Sequence, residues 1–82
     1  MPTETRPLST IAKEILADYH AQGKPVYYSA VPYVRAMLSL DSINDSYGDD
    51  SAKSIVAYAL SNLSVWRGET ARRIKAELKG MI

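Results

Sequence analysis

Cysteine and phenylalanine are absent from this chain of 82 residues, histidine and tryptophan occur once each, and glycine and proline four times each. Without cysteine there is no disulfide framework, so a core this small must rely on helix packing or on a partner subunit. The lone histidine, His20, in a chain without cysteine leaves no nucleophile beside a positioned base. The few glycines form neither a lysine-bearing P-loop nor a dinucleotide fingerprint, and there is no Gly-x-Ser-x-Gly elbow. These absences predict a protein that is not an enzyme, holds no cofactor and takes no small-molecule substrate. No apolar run reaches the roughly 18 residues that suggest a membrane span. Nor does the chain open on a basic segment followed by an apolar one, so the expected location is the cytoplasm, away from membrane.

With 46% hydrophobic and 23% charged residues, the composition is that of an ordinary globular domain. A chain of this length makes one domain, burying roughly 60 to 65% of the surface its unfolded form exposes. Residues 1–7, with two prolines and no apolar period, read as a flexible lead-in to a helical domain over 8–82. Leu8, Ile11, Ala12, Ile15, Leu16 and Tyr19 recur at helical spacing, with Lys13, Glu14, Asp18 and His20 largely opposite. Ser9 or Thr10 is placed to cap this helix, and Gly23 followed by Pro25 to end it. A second helix is expected from Ser29 or Ala30, because Pro32 lacks the donor a strand needs but suits a helix's first turn. Its apolar residues Val31, Tyr33, Val34, Met37, Leu38 and Leu40 span about half the circumference. Asp41 to Asp50 reads as a loop pinned by Ile43 and Tyr47. A third helix, capped by Asp49, Asp50 or Ser51, then presents Ala52, Ile55, Val56, Ala59, Leu60 and Leu63, with Tyr58 at its margin. After a link over Ser64 to Gly68, a fourth buries Ala71, Ile74, Leu78 and Met81 and turns Arg72, Arg73, Ala76 and Lys79 outward. The expected fold is all-α: a compact bundle of four short helices in a single domain, without a strand pair.

A net charge of +1 conceals an asymmetry, since Asp41 to Asp50 holds four aspartates and no base, whereas Trp66 to Ile82 holds five bases against Glu69 and Glu77. The acidic run does not match a calcium loop. Counting from Asp41 puts Ser46 where glycine is needed and Ala52 where the bidentate glutamate belongs, and counting from Asp45 puts Asp50 and Val56 there. No metal site is therefore expected, and the run reads as a helix-capping turn. The basic set Arg67, Arg72, Arg73, Lys75 and Lys79 can neutralise phosphates while Trp66 or a tyrosine stacks on a base. Against this, Glu69 sits in the first turn of the basic helix, and Glu69–Arg73 and Arg73–Glu77 are i,i+4 neighbours that stabilise an exposed face. Nucleic-acid binding is accordingly the alternative function.

Six tyrosines and one tryptophan give every aromatic ring a polar handle, a property that suits protein interfaces. The wide apolar faces of the second and third helices point the same way, because a domain this small has difficulty covering both. The favoured function is therefore protein–protein interaction, with a partner protein or a second copy in a homodimer, through Tyr27, Tyr28, Tyr33, Met37 and Trp66. The segments Ala30-Val31-Pro32-Tyr33, Asp41-Ser42-Ile43-Asn44-Asp45, Tyr47-Gly48, Ser54-Ile55-Val56-Ala57-Tyr58 and Trp66-Arg67-Gly68-Glu69-Thr70-Ala71-Arg72 carry a resemblance. The chain resembles, over about two-thirds of its length, small uncharacterised proteins carried on phages and conjugative elements of Gram-positive bacteria. The resemblance implies a bacterial cytoplasm and a mobile-element origin, and it brings no activity or site residues with it.

Overall fold

The computed structural model describes residues 6–26 and 28–82. Within them lie helices α1 (Leu8–Ala21), α2 (Val31–Met37), α3 (Ala52–Asn62) and α4 (Glu69–Lys79), with two-residue strands β1 (Ser46–Tyr47) and β2 (Asp50–Ser51) between α2 and α3. The helices expected from apolar spacing are present, and their ends show how the sequence sets them. Helix α1 begins one residue before the expected cap: Pro7 is its N-cap, no side chain caps it, and Ser9 and Thr10 lie inside the first turn. Its free amides are satisfied by backbone instead, Leu8 and Ser9 donating to the carbonyls of Asp41 and Leu40 at 3.2 and 2.8 Å. At the other end, Lys24 and Gly23 donate to the carbonyls of Tyr19 and His20, the paired bonds of a Schellman stop. Pro32 occupies the first turn of α2, and Ser51 is the cap of α3, its Oγ accepting from the Ser54 amide at 3.2 Å.

One feature departs from the all-α expectation. The acidic loop carries a small antiparallel hairpin, with Tyr47 opposite Asp50 and Ser46 opposite Ser51. Gly48 has φ 63 and no non-glycine residue among the described ones has positive φ, so only the first central position of the two-residue turn is left-handed, as a type II′ turn requires. The carboxylate of Asp45 organises the preceding residues by accepting from the amides of Asp41 and Ser42, each at 3.0 Å. Ile43 packs against the core as expected, but Tyr47 is 48% exposed and anchors nothing there.

Successive helices pack on one another and α4 returns to α1, closing a ring of four. The resulting body is a slab of 34 × 32 × 17 Å, which has room for two layers and one thin core. Leu8, Ile11, Ile15, Val34, Met37, Leu40, Val56, Leu63, Ile74 and Leu78 fill it. Met37 is therefore an interior residue, contrary to its expected place at an interface, because the inward side of α2 is covered by the chain itself. Among the described residues no helix is long and apolar enough to cross a membrane. Of the expected flexible lead-in, residues 1–5 lie outside the described part, whereas Arg6 and Pro7 belong to the folded body.

Candidate functional site

The link from α3 to α4 is fixed by side chains from three directions. Trp66 is 2% exposed and its ring stacks on Tyr19 of α1, with centroids 5.7 Å apart and planes 18° from parallel. Its Nε1–H donates to Asp18 Oδ2 at 2.7 Å, and the same oxygen accepts from Gln22 Nε2. Gln22 Nε2 also donates to the Arg67 carbonyl at 3.2 Å. From the other side, Lys75 Nζ donates to the Trp66 carbonyl at 2.6 Å and stands 5.9 Å from the ring centroid. Gly68, at φ 119, makes the final bend; a Cβ there would meet only Gln22 Nε2 at 3.8 Å, so backbone geometry rather than space requires glycine. Trp66 is thus a core ring, and the sequence-based placing of it at a protein interface or against a base is corrected.

This fixed link forms one wall of a pocket of about 300 Å³ lined by Trp66, Arg67, Gly68, Ala71, Arg72 and Lys75. Its three charged lining residues are all cations. Burial, together with the charges of Lys79 and Arg67, holds the Lys75 amine below its ordinary pKa of 10.5. Arg67 and Arg72 are exposed and have no ion-pair partner among the described residues. Arg73 is drawn away: it donates to Glu14 Oε2 of α1, and Lys79 lies exposed beyond the pocket.

The expected i,i+4 pairs within α4 are replaced by pairs to α1 and to the residue before its N-cap. Arg6 makes a bidentate contact with Glu77, Nε to Oε2 at 2.9 Å and Nη2 to Oε1 at 2.6 Å, while its Nη1 reaches Glu14 Oε1 at 2.7 Å. Glu14 therefore joins Arg6 and Arg73, and these two guanidinium groups, Arg6 first, lower its pKa from 4.5 against the opposing effect of burial. A carboxylate with a lowered folded-state pKa stabilises fully above its unfolded pKa and loses that contribution as pH falls through the folded value. Glu14→Gln is expected to cost roughly 1 kcal/mol at neutral pH, since the group is partly solvated. Urea midpoints of the two proteins should converge on acidification to about pH 2; a difference that persists there would exclude charge as its source.

A second concavity, of about 300 Å³ and mostly apolar, lies between α1 and α2 and is lined by Leu16, Val26, Val31, Val34, Arg35 and Leu38. At about 100° per residue, Val31, Val34, Arg35 and Leu38 share one side of α2 and Tyr33 the other. Tyr33 is half-buried and stacks on Tyr58 of α3 with centroids 5.4 Å apart, so it spends much of its surface within the molecule. Tyr28 is 78% exposed, in the same link as Val26. Tyr27 lies outside the described residues.

No protein-family model, curated protein or solved structure matches the chain. The functional assignment therefore rests on these two surfaces. Of the residues singled out from sequence, the fold brings Arg67, Arg72 and Lys75 together, leaves Tyr28 exposed, and takes Met37 and Trp66 inside. It also adds Arg6, Glu14, Asp18 and Gln22, which the sequence reading passed over. The available signal was the i,i+4 acid pair Glu14 and Asp18 beside the apolar stripe of α1, facing a predicted basic helix. Among the described residues no group of three His, Cys, Asp or Glu side chains is placed to hold a metal ion, and His20 is exposed in the last turn of α1.

Proposed function

We propose that the protein is a non-enzymatic accessory protein of a phage or mobile element that works by binding another protein. The observation that supports this reading is the α1–α2 groove, where Leu16, Val26, Val31 and Leu38 leave apolar surface beside Arg35. Arg35 is exposed and has no ion-pair partner among the described residues. An amphipathic segment of the partner, apolar on one side and carrying a carboxylate for Arg35, fits that combination. Tyr28 extends the contact surface with a ring suited to a half-wet position.

A photo-crosslinking side chain placed at position 31, with a control at the exposed Lys13 of α1, tests the assignment in a bacterial host. A discrete adduct specific to position 31 and lost in Leu38→Glu is expected, and its mass separates a second copy of the chain from a different protein. Circular dichroism of Leu38→Glu controls for folding, since Leu38 is only half-buried. Absence of an adduct at position 31, or equal adducts at 31 and 13, would remove the groove from consideration.

A further inference from the structure

We propose that the pocket beneath the start of α4 binds the phosphate backbone of a nucleic-acid strand, with Arg67, Arg72 and Lys75 as the phosphate-binding groups. Two cations of the molecule are held by carboxylates, Arg6 by Glu14 and Glu77, and Arg73 by Glu14. The pocket differs in gathering three cations on one concavity that no carboxylate lines; Glu69, although it opens α4, is not part of the lining. Like charges converging on one concavity repel, and an anion seated between them relieves that repulsion. Lys75 uses one of its three ammonium donors on the Trp66 carbonyl, leaving two to point elsewhere. The crowding is also visible in the lowered pKa of the amine, which Lys79 and Arg67 depress further after burial.

Two observations favour a strand. The pocket's volume of about 300 Å³ is at the lower end for ligand sites, enough for a phosphate with part of its sugar. Lys79 follows Lys75 by four residues, about 6 Å along the axis, so the positive line continues past the pocket to meet a second phosphate. The aromatic wall does not read bases, because Trp66 is already covered by Tyr19. Binding is therefore to charge and shape, without sequence preference.

The test is a titration of the full chain, in phosphate-free buffer at low and near-physiological salt, with pyrophosphate and with labelled mixed-sequence single strands and duplexes. Saturable binding of a strand is expected, with a slope of log affinity on log salt of about −1.4 for two phosphates on single-stranded DNA. Arg67→Ala with Arg72→Ala should weaken binding by about tenfold or more and flatten the salt slope. Lys13→Ala with Lys53→Ala, exposed cations outside the pocket lining, should leave it nearly unchanged. Pyrophosphate that competes the strand away would show that the pocket holds the phosphate group itself; failure to compete would show that a run of phosphates is needed, and either outcome supports the site. Circular dichroism checks that the arginine variants fold. No saturable binding of strand or pyrophosphate at low salt, or equal weakening by both double variants, would overturn the proposal.

Discussion

Replacing Trp66 by alanine removes about a quarter or more of the stability of the fold. A buried tryptophan truncated to alanine costs about 3–5 kcal/mol. At roughly 0.05–0.15 kcal/mol per residue, a domain of 82 residues holds on the order of 4–12 kcal/mol in all. The loss takes away more than a ring, because the stack on Tyr19 and the Nε1 bond to Asp18 go together. Trp66→Phe keeps much of the apolar contact and surrenders the indole donor with part of the ring volume, for about 1–2 kcal/mol, since Asp18 Oδ2 still accepts from Gln22. Urea unfolding followed by circular dichroism measures both. A Trp66→Ala protein as stable as the parent would mean that the ring sits on the surface, where the sequence reading had placed it.

Met37→Ala is the second large effect, expected to cost about 2–5 kcal/mol, because the side chain is wholly enclosed and its removal leaves a cavity. Met37→Leu, which conserves volume, should cost less than about 1.5 kcal/mol. The pair discriminates between two roles for the residue. A methionine at an interface would lose partner affinity on truncation with little change in the unfolding midpoint of the isolated chain, the reverse of what burial predicts.

Helix positions were readable because each carries a repeating apolar stripe, and the stripe reports burial whatever covers it. The same property misled the functional reading of Met37 and Trp66: periodicity marks a face that leaves water without saying whether the chain or a partner closes over it. The hairpin was missed for a different reason. Gly48-Asp49 is a recognisable two-residue turn signal, but strands of two residues have no alternation to detect, and the aspartates around them read as loop. Arg73 was assigned to its neighbours on α4 because i,i+4 spacing is visible in sequence, whereas the competing acid Glu14 is 59 residues away and reaches it only through the packing of α1 on α4. The convergence of Arg67, Arg72 and Lys75 was half legible, since the break at Gly68 and the helix after it were identified but not the folding of the link that sets Arg67 beside Arg72 and Lys75.

Because the amides of Leu8 and Ser9 end on the carbonyls of Asp41 and Leu40, whereas Thr10 and Ile11 donate to Pro7, the first two amides of α1 have no protection from the helix itself. Those two amide protons should exchange with deuterium at the rate at which the segment after α2 lifts away, and not with the fraying of an isolated helix end. The same bond pair sets an order on synthesis: until residue 41 has left the ribosome, α1 lacks the acceptors that complete its start, so the helix gains its full protection only after more than half of the chain has been made.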